Sequence, residues 1–112
     1  MSQRIERINE LVRQELGRFI MREVELPENS LVTITRVETT PDMKNAKVYV
    51  TILPDNLRGT ILELLRKNNR QLHELLKAEI ENKIVPNFNF LIDDQEVYAN
   101  KIDRILDEIR KE

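Results

Sequence analysis

The sequence predicts an α+β fold, and three observations carry that expectation. Apolar residues step by three and four over "IERINELVRQELGRFIMREV", where Ile5, Ile8, Val12, Leu16 and Phe19 share one helix face. Between Ser30 and Asp55 the spacing shortens to every second residue, and β-branched side chains dominate. Helical spacing returns near Leu57, ahead of the alternating segment "FNFLID" and a last charged helical pattern, "NKIDRILDEIRKE".

Each element has its own signal. The first helix contains Gly17, which weakens it without breaking it. It stops at "ELPENS", where Pro27 and Asn29 are turn residues. Val32 and Ile34, then Ala46, Val48, Val50 and Ile52, alternate with polar residues, so two strands each bury one face. A turn at Thr40-Pro41-Asp42 joins them as a hairpin, because proline presets φ and aspartate bonds its own backbone. Pro54 and Asp55 suit a helix start, and the helical pattern runs from about Leu57 to Ile84. Val85-Pro86 ends it, since a residue before proline avoids the α region. A third strand and a C-terminal helix at about 96–111 complete the order α-β-β-α-(break)-α-β-α.

Composition bounds the function. At 112 residues, 40% apolar and 34% charged, the chain suits one soluble domain with a modest core. No apolar run approaches the ~18 residues of a membrane helix. "MSQRIERINE" lacks the apolar segment of a secretory signal, so a cytoplasmic protein is expected, with no membrane partner. With no cysteine, disulfides and thiol chemistry are excluded and a zinc finger is not expected.

Catalytic constellations are missing too. His73 is the only histidine and is expected as a solvated surface residue with no second ligand of its kind for a metal. Serine occurs only at Ser2 and Ser30, without a nucleophile motif. Gly17 and Gly59 cannot build a phosphate-cradling loop. Asp93-Asp94 reads as a turn or cap pair. A non-enzyme without cofactor or metal is the expectation.

Charge is unevenly distributed. Residues 43–77 carry seven cations against three carboxylates, while 23–42 carry one against five and 93–112 four against seven. Two features stand out within this pattern. Arg4, Arg7, Arg18 and Arg22 fall within an arc of roughly 60° on an ideal first helix, bordering its apolar stripe. The second is "LLRKNNRQLHELL", residues 64–76, where Asn68 and Asn69 interrupt the stripe of Leu65, Leu72 and Leu76. A break here, with asparagine adopting the left-handed conformation that ends helices, would expose backbone N–H groups beside Arg66, Lys67 and Arg70. Free helix amides flanked by cations bind phosphate.

The element order resembles the bacterial, type II KH domain: a three-stranded sheet with helices on one face, plus the C-terminal helix. More specifically, "RINELVRQEL" at 7–16, "LVTITRVETTPDMKNAKVYVTIL" at 31–53, "IVPNFNFLID" at 84–93 and "KIDRILDEI" at 101–109 resemble the ribosome-binding factor A family over essentially the whole chain. The resemblance implies a single KH-like rRNA-binding domain over 1–112, acting as a monomer in the cytoplasm. It implies binding to immature 30S subunits and to 16S rRNA in its 5′/3′ terminal helix region, in support of late maturation and rRNA processing. The family marks its helix kink with Ala-x-Gly; the corresponding residues here are Asn68, Asn69 and Arg70.

The expected mechanism is recognition of RNA by shape and phosphate. Arg4, Arg7, Arg18 and Arg22 form one wall, Lys44 and Lys47 extend it, and Arg66, Lys67, Asn69 and Arg70 surround the kink. A structured RNA groove is met through backbone and 2′-OH contacts, for which Arg, Lys and Asn suffice. An aromatic fraction of 4% argues against a stacking platform for single strands. The alternative is a non-RNA-binding α+β protein-interaction module, favoured by the negative net charge and the acidic C-terminal helix.

Overall fold

The computed structural model describes residues 3–80 and 84–94; the expected helix at about 96–111 lies outside them. Among the described residues the order is α1 (Gln3–Glu23), β1 (Leu31–Thr39), β2 (Asn45–Leu53), α2 (Arg58–Lys67), α3 (Asn69–Glu79) and β3 (Asn87–Ile92), with a 3₁₀ turn at Asp55–Leu57 before α2. The α-β-β-α-α-β order matches the expectation. Among the described residues no helix is long and apolar enough to cross a membrane.

The sheet has the order β1-β2-β3. β1 and β2 form the antiparallel hairpin, with Leu31 opposite Leu53 and Thr39 opposite Ala46. β3 returns through the helix pair to run parallel to β2, with Asn45 opposite Asn87 and Val50 opposite Ile92. A parallel partner needs such a crossover, because a tight turn reverses the chain and can only pair antiparallel strands. The hairpin turn bends at Met43, whose φ of 63° is left-handed. Its N–H donates to the Thr40 carbonyl at 2.8 Å.

Alternation sends Val32, Ile34, Val37, Ala46, Val48, Val50, Phe88 and Phe90 to one side of the sheet. There they meet the helical stripes of Val12, Leu16, Ile20, Ile61, Leu65, Leu72 and Leu76 in one core. All three helices therefore cover the same face. α1 lies along β1 and against α3, while α2 lies over β3. The other sheet face carries Lys47, Tyr49, Asn89 and Leu91, and Arg36 stacks on the Tyr49 ring at 3.9 Å.

Two expectations need correction. The helical stretch ends at Glu79, not near Ile84, because Ile80 leaves helical geometry (φ −104°, ψ 88°) as its side chain enters the core. His73 is half-buried: its Nε2 donates to the Val85 carbonyl at 3.1 Å, and its ring meets Phe88 edge-on at 5.6 Å.

Candidate nucleic-acid interface

α2 ends at Lys67, α3 begins at Asn69, and Asn68 is the residue between them. Its φ of −92° and ψ of 6° are not the left-handed values expected for an asparagine break. The turn is made differently. The Asn68 backbone N–H and side-chain Nδ2 both donate to the Leu64 carbonyl, at 3.1 and 2.8 Å, closing the last turn of α2. With that side chain turned back, no side-chain bond caps the N-terminus of α3. Its first amides are thus left to other partners.

The neighbouring polar residues explain why the apolar stripe is interrupted. Asn69 Nδ2 donates to the Phe88 carbonyl at 2.6 Å, and Arg66 Nη2 donates to the Phe90 carbonyl at 3.0 Å. Both acceptors belong to β3, an edge strand. Side chains that would interrupt a purely apolar packing here satisfy backbone groups the sheet cannot. Arg66, Lys67, Asn69 and Arg70 line one open cleft of about 400 Å³ with His73 and Asn87. Sequence reading did not place the last two there; their signal is only the one-turn spacing of His73 from Asn69 and the strand start at Asn87.

The basic residues divide between two ends of the molecule. Asn9 Oδ1 accepts from the Thr39 N–H at 3.0 Å and from the Thr39 hydroxyl at 2.5 Å, which sets the first half of α1 beside the β1–β2 turn. Arg4 and Arg7 share a cleft there with Ile8, Leu11, Met43 and Ile84. The Asn87 N–H donates to the Lys44 carbonyl at 2.9 Å, so the start of β3, and with it the α2–α3 break, belongs to this same end. Arg4, Arg7, Lys44, Lys47, Lys67 and Arg70 are all exposed on or near it. Arg7, Lys44, Lys47, Lys67 and Arg70 have no ion pair among the described residues.

Arg18 and Arg22 do not join this group. At 1.5 Å per residue, Arg22 lies ~27 Å along α1 from Arg4. Arg18 pairs with Glu15 at 3.3 Å; Arg22 pairs with Glu23 at 3.3 Å and lies over the Phe19 ring at 5.1 Å. Both line a small recess with Glu79. At that far end, exposed Glu23, Glu25, Glu28, Asp55 and Asp94 gather where α1, β2 and β3 finish. Exposed carboxylates share the basic end as a minority: Glu6 and Glu10 on α1, Glu38 opposite Lys47, and Asp42 in the hairpin turn. Asp42 accepts from the Thr40 hydroxyl at 2.6 Å and from the Lys44 N–H at 3.0 Å, and these bonds hold it below the usual carboxylate range.

A mixed three-stranded sheet covered on one face, a helix pair broken beside its edge strand, and cations gathered at one end define a small α+β protein with a basic end surface. No three His, Cys, Asp or Glu among the described residues are grouped to hold a metal ion. The chain belongs to the ribosome-binding factor A family, whose model matches residues 4–106. The ribosome-binding factor A of Macrococcus caseolyticus is 34% identical over 113 residues, covering 100% of this chain and 99% of its own. That of Akkermansia muciniphila is 33% identical, covering 99% of this chain and 88% of its own. Among solved structures, the crystal structure of ribosome-binding factor A from Thermus thermophilus has the same fold, with a TM-score of 0.69 at 19% identity over 79% of this chain and 94% of that one.

Proposed function

We propose that this protein is a ribosome assembly factor that binds the immature 30S subunit and its 16S rRNA, near the 5′/3′ terminal helix region, and assists late maturation and rRNA processing. It acts without catalysis, as a cytoplasmic monomer whose single KH-like domain spans the chain. The observation that carries this reading is the convergence of Arg4, Arg7, Lys44, Lys47, Lys67 and Arg70 on one end, in a member of this family. A homology model of the Thermus thermophilus ribosome-binding factor A, 22% identical to this chain with a TM-score of 0.64, has been fitted into a cryo-EM map of a complex of that protein with the 30S subunit. Exposed cations and the uncapped start of α3 suit phosphate and 2′-OH contacts more than base readout.

Sedimentation with purified ribosomal particles tests the proposal. Saturable binding to free 30S subunits and not to 70S ribosomes, weakening linearly in log–log salt dependence, is expected. Absence of binding at every salt concentration overturns it. The rival reading, a protein-interaction module, draws support from Met21, Leu31 and Leu53, which are 71%, 51% and 57% exposed at the opposite end. Salt-insensitive binding to an isolated protein partner, with none to rRNA, would favour it.

A further inference from the structure

We infer that Asn69 is a positioning residue: with Arg66 beside it, it sets the angle between α2 and α3 by holding the break on the outer edge of β3. The inference rests on the reading above, because the surface so positioned is the one assigned to RNA.

The geometry starts from the parallel pairing of β3. Odd-numbered residues turn their backbone groups toward β2, as the bonds from the Asn87 N–H to Lys44 and from the Asp93 N–H to Val50, both 2.9 Å, show. The carbonyls of Phe88 and Phe90 therefore point off the sheet. Asn69 grips the first and Arg66 the second. One grip comes from the last turn of α2 and the other from the first residue of α3, so each helix is tied separately to the same strand.

Within the break the backbone of Asn68 is bonded once to each helix, its N–H to the Leu64 carbonyl and its carbonyl to the Leu72 N–H, at 3.1 and 3.0 Å. A single-residue joint of this kind still needs outside contacts to fix its angle. Asn68 is neither glycine nor left-handed, and its side-chain amide bonds back to α2 and not to the start of α3. The direction of α3 is then set by buried Leu72 and Leu76, by its packing on α1 and, at its first residue, by the Asn69 bond. Lys67 follows one grip and Arg70 follows the other, so their separation depends on both bonds being made. A side-chain tether to a neighbouring strand here takes the place of a small-residue turn.

Two measurements on the full chain test this. Residual dipolar couplings of Asn69→Ala and the near-isosteric Asn69→Asp should show α3 reoriented against the sheet, with thermal melting still cooperative. Unchanged couplings in both variants overturn the inference, whatever happens on the ribosome. The second measurement is salt-dependent binding to purified 30S subunits. Loss of one hydrogen bond should weaken binding by about fivefold in Asn69→Ala. It should also lower the salt slope, and adding Arg70→Ala should lower that slope little further, because a cation no longer held in place has little left to lose. Fully additive effects of the two substitutions, or a loss that follows the melting temperature alone, overturn the positioning role. If α3 reorients but even the unmodified chain binds 30S without salt dependence, the tether stands and the RNA reading falls.

Discussion

The hydroxyl of Thr35 donates to a carboxylate oxygen of Asp93 at 2.5 Å, joining β1 to the residue that follows β3. Thr35 is the extra residue of a bulge, since the register shifts between Ile34 and Arg36. A bulge re-aims a side chain, here from the sheet surface toward a carboxylate that is only 6% exposed. Thr35→Val keeps the shape and strand preference but removes the donor. The expected cost is ~1–3 kcal/mol, read as a lower urea midpoint with unchanged slope. An unaltered midpoint would show that the other contacts of Asp93 suffice.

Gly17 lies inside α1 with an ordinary backbone, as no glycine has positive φ. An added Cβ would meet the Ile34 Cδ1 at 4.0 Å, which is normal contact. Gly17→Ala should therefore stabilise the protein by about 0.5–1 kcal/mol through helix preference and a less free unfolded chain. Differential scanning calorimetry checks it; a lower melting temperature would reveal crowding against β1.

Asp42 supplies a pH dependence whose sign follows from its hydrogen bonds. The Thr40 hydroxyl, then the Lys44 N–H, depress its folded pKa below the ordinary aspartate value. Its contribution to stability is present above the unfolded value and disappears as pH falls through the lower folded one. NMR titration of the Asp42 carboxyl should give a midpoint below that of a model aspartate, and Thr40→Val should move it upward. A midpoint indifferent to Thr40 would refute the assignment.

The division of charge predicts unequal mutants. Lys67→Glu with Arg70→Glu should weaken 30S binding and reduce the salt slope by about one for each phosphate no longer neutralised. Arg18→Glu with Arg22→Glu should leave the slope nearly unchanged, since both arginines are ion-paired at the other end. Equal weakening from the two pairs would mean that the contact surface runs the length of α1.

Much of this was legible in the sequence because burial imposes periodicity. Val48 and Val50 had to face one way, Leu65 and Leu72 had to share a stripe, and Asn68 stood where the stripe failed. What stayed hidden depends on partners remote in sequence. The acceptor for Asn69 is a backbone carbonyl 19 residues on, which no side-chain pattern announces. The bulge at Thr35 carries no glycine to mark it. A helical wheel puts Arg4 and Arg22 on one side but discards the axial distance that separates them. The end of α3 is not marked in the sequence, because Ile80 fits a helix stripe and a core-filling exit equally well.

The excess of cations at one end and of carboxylates at the other also makes the described part of the protein an electric dipole, on a chain whose monopole is only −2. Far from a polyanion such a molecule is weakly repelled, which discourages adhesion to arbitrary nucleic acid. Within a Debye length, ~10 Å at 0.1 M salt, the field exerts a torque on that dipole and its gradient a net pull. It swings Arg7, Lys44, Lys67 and Arg70 forward and carries Glu23, Glu25 and Glu28 away. Landing is then selected by orientation before any contact forms, and an encounter made broadside or backwards dissolves without having to be undone.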